Sequence, residues 1–435
     1  MALGGGTFVT ENKILPGAYI NFVSLAKASA TLSDRGIATM PLELDWGAES
    51  EIFAVTSADF QKHSMKIFGY SYTHEKMKGL RDLFKNIQTL YAYRLNGGGT
   101  KASNTYATAK FGGVRGNDIK IAIQTNVDSE SLFDVITMVD TTVVDTQTVS
   151  KASELVANDY VSFKADASLT VTAGVPLSDG TNGTADGTAH QTYLDKIESY
   201  SFNAIGVVTT EDTVKELYKN FCKRLRDEIG SKFQAVIYNK AADYEGVINL
   251  KNKVTDEGYS EASLVYWVTG IAAGCAVNKS NTNKKYDGEF TVNVDYTQTQ
   301  LIEAIQAGEL VLHKVGSDIR VLEDINSLVT TTDNKGDVFK DNQTIRVIDQ
   351  IANDIAVLFN TKYLGVIPND AAGRTSFWTD VVKHHEQMQN IRAIEEFSDD
   401  DVTVEQGDNK KSIVVGDAVK PINAMSKLYM TTVVA

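Results

Sequence analysis

The sequence predicts a multidomain protein of the mixed α+β and α/β classes: a discontinuous α/β core domain, a small all-β domain inserted into it, and extended N- and C-terminal arms. Its 435 residues exceed the roughly 250 to 300 at which one hydrophobic core stops growing. Strand-like and helix-like segments alternate beyond residue 190, which indicates an α/β layer. Between residues 98 and 189, short alternating runs separated by turn signals indicate a separate β-domain.

Residues 1–30 read as extended chain and turns. A Pro16-Gly17 turn signal precedes several apolar residues, and little helical periodicity lies before them, which is typical of an arm. We predict that this arm donates a strand to another molecule. The side chains expected to make its contacts are Tyr19, Ile20, Phe22 and Val23.

Residues 31–97 begin the core domain. Apolar residues at positions 77, 80, 83, 84 and 87 share one helix face and predict a helix from about residue 74 to 88. The β-favouring run that starts at Thr89 predicts a strand, which stops at Gly97-Gly98-Gly99. The glycines predict a hinge into the next domain.

Residues 98–189 are predicted to form the inserted β-rich domain. Ile119-Lys-Ile-Ala-Ile and Tyr160-Val-Ser-Phe are alternating runs of strand length. A stretch rich in Gly, Asp and Thr follows Pro176 and contains the turn residues needed to return the chain to the core.

The core domain resumes at residue 190 and extends to residue 411. Strand-like runs begin at Ala204 and Phe233, and helices are predicted from about Asp212 to Gly230 and from about Ser260 to Ala276. This alternation is the rhythm of an α/β layer.

Residues 412–435 again look extended and are predicted to form a C-terminal arm. Apolar residues recur in it without helical spacing. Its expected contact residues are Ile413, Val414, Val415, Leu428, Tyr429 and Met430.

Composition and the N-terminal sequence argue against several kinds of partner and compartment. A formal net charge of -14 disfavours nucleic acid and anionic membranes as partners, because both require clustered Lys and Arg. Cys222 and Cys275 fit neither a metal-ligand pair nor a disulfide framework, which indicates synthesis in a reducing compartment. The N-terminus lacks the features of a signal peptide, so we expect no Sec export and no direct membrane insertion.

Motifs that carry catalytic chemistry are missing from the sequence. It contains no P-loop, no Gly-x-Ser-x-Gly elbow and no His-Glu-x-x-His pattern. We therefore expect no enzymatic activity, no catalytic residues, no metal and no cofactor.

Five segments in the C-terminal part of the chain follow one another in a distinctive order. They are Gly270-Ile-Ala-Ala-Gly, Glu323-Asp-Ile-Asn-Ser-Leu, Arg346-Val-Ile-Asp, Tyr363-Leu-Gly-Val-Ile-Pro-Asn and Pro421-Ile-Asn-Ala-Met. In this order they resemble the tail sheath family of contractile phage tails, R-type bacteriocins and phage-like elements. The resemblance covers roughly residues 14–100 and 190–435, and reaches the inserted domain only at Arg115-Gly-Asn-Asp-Ile.

The resemblance implies a structural role. Sheath subunits stack as hexameric rings into a helical sheath around an inner tube, their arms add strands to neighbouring subunits, and contraction is a rigid-body rearrangement. The implied partners are further copies of the chain, the inner tail tube protein, and baseplate and tail terminator proteins. The implied location is a virion tail or phage-like particle, made in the bacterial host cytoplasm.

Contact with an inner tube requires a surface patch on the core domain. A helix predicted from about Ser376 to Ile394 concentrates positive charge in an acidic protein. Its candidate tube-contact residues are Lys383, His384, His385 and Arg392.

Two other classes stay open at the level of sequence. An enzyme or ligand-binding protein would place its site at the carboxyl ends of the α/β strands. A capsid or surface-layer subunit would share the acidity, the β-rich insertion and the missing motifs, and particle morphology would distinguish it from a sheath.

Overall fold

The structure, a computed structural model, describes residues 32–434. Its strands are β1 (Ile37–Leu42), β2 (Ile52–Thr56), β3 (Thr89–Arg94), β4 (Ala107–Ala109), β5 (Ile119–Thr125), β6 (Phe133–Val139), β7 (Thr142–Val149), β8 (Val161–Phe163), β9 (Thr172–Pro176), β10 (Ala204–Val207), β11 (Gln234–Tyr238), β12 (Val247–Leu250), β13 (Glu309–Leu310), β14 (Leu312–Val315), β15 (Asp318–Val321), β16 (Ile394–Glu395), β17 (Val402–Gln406), β18 (Ile413–Asp417) and β19 (Lys420–Pro421). Its helices are α1 (Ser57–Phe68), α2 (Lys78–Phe84), α3 (Gly187–Ile197), α4 (Asp212–Arg224), α5 (Val265–Gly274), α6 (Gln298–Gln306), α7 (Asn342–Leu358) and α8 (Ala371–Asn390). Among residues 32–434, no helix has the length and apolar character needed to cross a membrane.

The described chain divides into two compact units. The larger unit comprises residues 34–353, 391–395 and 421–434. The smaller unit comprises residues 32–33, 354–390 and 396–420.

A seven-stranded sheet with the order β13-β12-β11-β10-β1-β3-β2 organises the larger unit. Neighbouring strands are parallel except for β2, which is antiparallel to β3. The chain proceeds from β1 to β2 and β3 on one side, and later from β10 to β13 on the other. The strand order therefore reverses between β1 and β10. This sheet and its helices confirm the predicted α/β core.

Close approach of helix α5 to its neighbours depends on glycine. A Cβ atom on Gly274 would lie 1.7 Å from the carbonyl oxygen of Asn86, and one on Gly270 would lie 2.8 Å from that of Leu83. Larger residues at these positions would displace the helix from the end of α2. Gly270 and Gly274 therefore allow helix α5 to pack closely against the chain at the end of α2.

The inserted β-domain contains a four-stranded antiparallel sheet, β7-β6-β5-β9, and a two-stranded sheet, β4-β8. Ile121, Val135 and Val161 belong to one apolar cluster that spans both sheets. The prediction of a separate all-β domain within the α/β chain is confirmed.

Two buried arginines connect this insertion to the α/β part of the larger unit. Arg94 Nη1 donates a hydrogen bond to the Gly112 carbonyl (2.8 Å), and Arg115 Nε donates to the Gly69 carbonyl (2.7 Å). Because a buried charge is costly unless it is hydrogen-bonded, both guanidinium groups are structural.

The smaller unit is built on helix α8 and the antiparallel hairpin β17–β18. Phe377 and Val381 of α8 pack with Val402 of β17 in one apolar cluster. The domain boundaries predicted from the sequence differ from this division of the chain. They place residues 354–411 in the core domain and residues 412–420 in an arm. The physical reason for the difference is that these residues have an apolar core of their own.

Candidate assembly surfaces

The C-terminal segment, residues 422–434, contains neither helix nor strand. Beyond Ala424 its large apolar side chains are exposed; Met425, for example, is 100% exposed and Leu428 is 85% exposed. The others are Tyr429, Met430, Val433 and Val434. Contiguous exposed apolar groups mark interaction sites, so this segment is a candidate contact surface.

The root of this segment is fixed to the larger unit. Gln343 Nε2 donates to the Ile422 carbonyl (2.9 Å), and the Ala424 N–H donates to Gln343 Oε1 (3.0 Å). The Ile422 N–H also donates to the Ala393 carbonyl (2.9 Å). Beyond Ala424, no hydrogen bond to the rest of the described chain holds the segment.

The predicted contact residues of the two arms lie in different parts of the chain, and the structure describes only some of them. Tyr19, Ile20, Phe22 and Val23 lie outside the described residues. Leu428, Tyr429 and Met430 lie in the exposed segment. Ile413, Val414 and Val415 belong instead to strand β18, so the expectation that the free arm begins at residue 412 is corrected. Their pairing with β17 satisfies the backbone groups that an arm would leave open.

One edge of the β17–β18 hairpin lacks a strand partner among residues 32–434. The Gly407 N–H donates to the Ser412 carbonyl and the Ala418 N–H to the Asp401 carbonyl. Hydrogen-bonded pairs alternate along an antiparallel ladder. Val415, which lies opposite Val404, therefore points its N–H and C=O away from β17.

The opposite edge of the hairpin is covered by helix α8. Trp378 Nε1 donates to the outward carbonyl of Val402 (2.8 Å). The open edge is therefore that of β18.

His384 and His385 do not form the exposed basic patch that the sequence analysis predicted. Both are 0% exposed. They lie three and four positions after Val381 and therefore turn to the same buried face. His384 Nε2 lies 3.0 Å from Asp354 Oδ2, and His385 Nε2 lies 3.1 Å from Asp417 Oδ2. The apolar residues at 381 and 388 were the sequence signal for this buried face.

Lys383 and Arg392 are both exposed. Lys383 lies on α8, whereas Arg392 follows the end of that helix with a left-handed backbone (φ 61°). The predicted helix from Ser376 to Ile394 therefore begins earlier and ends before Arg392. Only these two of the four candidates remain available for contact with a tube.

A buried ion pair joins the Glu323-Asp-Ile-Asn-Ser-Leu and Arg346-Val-Ile-Asp segments. Arg346 Nη2 lies 2.7 Å from Asp324 Oδ2, and each residue is 1% exposed. The Asn281 N–H and Asn342 Nδ2 also donate to Asp324. Burial alone raises the pKa of Asp324, but the charge of Arg346 and these hydrogen bonds hold it below its ordinary value.

The acidic residue of the Arg346-Val-Ile-Asp segment has a different partner. Asp349 binds both terminal nitrogens of Arg226, at 2.6 and 2.8 Å. The motif therefore contributes to two buried ion pairs and not to a binding surface. Within residues 32–434, no group of three or more His, Cys, Asp or Glu side chains is arranged to hold a metal ion.

Models of phage tail sheath domains match nearly all of the described chain. They are the tail sheath protein Gp18 domain III N-terminal region (residues 35–95), the phage tail sheath protein beta-sandwich domain (97–182), the phage tail sheath protein central domain (183–327) and the phage tail sheath C-terminal domain (334–435). These matches define the class as a structural component of a phage tail.

Full-length relatives agree with the domain matches. Phage-like element PBSX protein XkdK of Bacillus subtilis (strain 168) is 33% identical, over 98% of this chain and 99% of that protein. The structure of a sheath tail protein from Desulfitobacterium hafniense superimposes with a TM-score of 0.83 at 38% identity, over 95% of this chain and 99% of that chain. A sheath tail protein from Listeria innocua gives 0.77 at 31% identity, over 94% and 96%.

The chain therefore belongs to the phage tail sheath protein family. The resemblance drawn from the sequence is confirmed, and the protein is a sheath component of a virion or phage-like particle.

Proposed function

We propose that the chain polymerises as stacked hexameric rings around an inner tube, with neighbouring subunits linked by strand exchange. The observation that supports this proposal is that one chain has both an exposed apolar segment and an open strand edge, which could serve as donor and acceptor. The donor is the exposed apolar segment beyond Ala424, and the acceptor is the open edge of β18. Head-to-tail contacts of this kind propagate into open helical assemblies when the rotation does not close a ring.

An added strand would gain main-chain hydrogen bonds and side-chain specificity together. Val415 offers its outward N–H and C=O to the incoming strand. Leu428 and Met430 are two positions apart, so an extended segment would present them on one face. Tyr19, Ile20, Phe22 and Val23 are the corresponding candidates at the N-terminus.

Contraction follows in this proposal as a rigid-body rearrangement of the core domains, while the arms keep the subunits connected. The sheath would be assembled in the bacterial host cytoplasm on an inner tail tube protein, between the baseplate and the tail terminator. Stored lattice energy would drive the stroke without an enzymatic step.

Val415→Pro tests the acceptor edge. Proline removes the N–H that points away from β17, and proline is tolerated on the outer side of edge strands. We expect the variant to keep its fold, with unfolding free energy within about 1 kcal/mol of the wild type, and to form few or no tubes. Negative-stain electron microscopy and urea unfolding measure the two results.

The matched control is Val415→Ala, which keeps the N–H and should assemble. Tubes of normal number from a folded Val415→Pro chain would contradict strand addition at β18.

Lys383 and Arg392 remain our proposed contacts with the inner tube. A tube with an acidic outer surface would attract both side chains, although exposed charges contribute only about 0 to 1 kcal/mol each. We expect Lys383→Glu with Arg392→Glu to decorate purified tubes more weakly, most clearly at low salt. Lys314→Glu, which changes an exposed lysine on β14, is the control. Unchanged decoration in a sedimentation assay would refute this contact.

A further inference from the structure

A small apolar pocket lies in the smaller unit, between the π-helical turn that follows α7 (Phe359–Tyr363), the start of α8 and the hairpin. Its volume is about 100 Å³. An apolar cavity of roughly 150 Å³ holds a benzene molecule, so this pocket admits one aliphatic side chain. We call it the aromatic pocket, and its lining includes Phe359, Tyr363, Leu364, Ile367, Phe377 and Ile413.

The floor of the aromatic pocket is preformed. The Phe377 ring packs edge-on against the rings of Tyr363 and Phe359, with centroid separations of 4.9 and 5.8 Å. The Tyr363 hydroxyl donates a hydrogen bond to Asp380 Oδ2 (2.5 Å). Because these rings are already fixed, little conformational freedom is lost when a side chain enters.

The rim of the aromatic pocket exposes apolar groups to solvent. Leu364 is 59% exposed and Ile367 is 37% exposed. Contiguous exposed apolar groups mark interaction sites. The rim therefore extends the pocket into a surface that another molecule can cover.

The aromatic pocket lies on the side of the hairpin where the edge is open. Lys411 and Ile413 line it, whereas none of the described residues of β17 does. Ile413 packs against the apolar cluster of α8, as Val404 does. Val415 lies opposite Val404 in the ladder, and opposite residues share a face. Ile413 and Val415 therefore both face α8, at the edge that borders the pocket.

A strand added to β18 would cross the aromatic pocket. Ile413 lies opposite Gln406, so its N–H and C=O point away from β17, as those of Val415 do. The added strand would bond to both residues, and its alternate side chains, about 7 Å apart, would face α8. Leu428 and Met430 have this two-residue spacing and are exposed. One of them would enter the pocket beside Ile413 while the other covers Val415.

We propose that the aromatic pocket receives Leu428 or Met430 from the C-terminal segment of a second copy. This inference rests on the proposed strand exchange and adds what selects the donor. Main-chain hydrogen bonds form with almost any sequence, whereas a pocket accepts only a side chain that fits it.

Leu364→Ala with Ile367→Ala enlarges the pocket mouth and leaves the backbone of β18 unchanged. Both side chains are exposed, so we expect the double variant to fold, as urea unfolding will measure. We expect the number of tubes to fall about tenfold or more, because truncation of an interface anchor weakens binding by this factor. The matched control is Val366→Ala, an exposed residue of the same loop outside the pocket lining, which should assemble normally.

Tubes of normal number from the folded double variant would overturn the proposed pocket. If Val415→Pro abolishes tubes in the same assay, strand exchange stands without the pocket.

Disulfide cross-linking within tubes identifies the side chain that enters the pocket. One chain carries Ile367→Cys and the other carries Leu428→Cys or Met430→Cys. All chains also carry Cys275→Ser, because Cys275 is a partly exposed native thiol. We expect a cross-linked dimer from at least one mixture under mild oxidation. Ile367→Cys with Tyr429→Cys should give about a tenth of that yield or less, because residue 429 lies on the other face of an extended strand.

A second pair of cysteines separates the pocket from the strand exchange. Val414 is exposed and lies on the face of β18 away from α8, so Val414→Cys with Tyr429→Cys reports strand addition alone. A dimer from this mixture, with none from Ile367→Cys and the 428 or 430 variants, would overturn the pocket and leave strand exchange intact. A dimer from no mixture would overturn both. A dimer of Ile367→Cys with Phe22→Cys in their place would assign the pocket to the N-terminal segment and overturn the proposal.

Discussion

A chain that ends at Ala424 is expected to fold as the full chain does and to form no tubes. The apolar side chains beyond this point are exposed, so their removal eliminates no buried packing. The last hydrogen bond to the rest of the described chain, from the Ala424 N–H to Gln343, is kept. Assembly nevertheless loses its proposed donor strand.

The position of the cut decides what the experiment measures. A cut at residue 412 would also remove β18 and Asp417, which His385 holds from the buried face of α8. That deletion would damage the smaller unit and confuse loss of folding with loss of assembly. The cut after Ala424 avoids this problem.

Electron microscopy after concentration, together with thermal unfolding, reads out both properties of the truncated chain. The matched control is the full-length chain with Ser426→Ala and Thr431→Ala, which changes exposed polar residues of the same segment and should assemble. Striated tubes from the truncated chain in normal number would show that the C-terminal segment is not a required donor.

Asp324→Ala is expected to destabilise the larger unit by about 3 to 5 kcal/mol, the usual cost of breaking a buried ion pair from one side. The carboxylate accepts from Arg346, from the Asn281 N–H and from Asn342. Nε and Nη1 of Arg346 already have no hydrogen-bond partner in the described chain. Loss of Asp324 would leave a buried guanidinium with one remaining bond, to the Lys279 carbonyl.

Urea unfolding at pH 7 measures this loss. Asp337→Ala removes an exposed carboxylate that pairs with Lys340 on the surface, and should change stability by no more than about 0.5 kcal/mol. Equal free energies of unfolding for the wild type and Asp324→Ala would show that the buried ion pair makes no net contribution to stability.

The effect of Asp324 should also depend on pH. Because its pKa is lower in the folded than in the unfolded chain, its contribution is fully present above the unfolded value of 3.8 and is lost as pH falls through the folded value. The difference between the wild type and Asp324→Ala should therefore be constant near neutrality and shrink in acid. A difference that grows as pH falls below 3.8 would contradict the assigned direction.

Local patterns in the sequence determined the fold class. The alternation of strands and helices after residue 190 and the short strands of the insertion depend on side-chain periodicity, which neighbouring residues fix. The helix predicted from Asp212 to Gly230 is observed as α4 followed by a π-helical turn, Leu225–Ile229. The order of the five segments in the C-terminal part of the chain was sufficient to indicate the family.

The tertiary structure decided what each side chain contacts. Arg346 pairs with Asp324 on a distant loop and not with Asp349, three residues along its own helix. His384 and His385 look like surface charges until α8 packs against the hairpin and buries them.

A cleft at the carboxyl edge of the main sheet also depends on tertiary packing. Glu43 follows β1, His190 lies on α3 and Glu211 precedes α4, and only the packing of these elements brings all three to its lining. The sequence by itself therefore determined the elements, the exposed apolar C-terminal segment and the family. The fold decided which side chains pair and which are buried. These properties depend on contacts between residues that lie far apart in the sequence, and no helix or strand periodicity relates such residues.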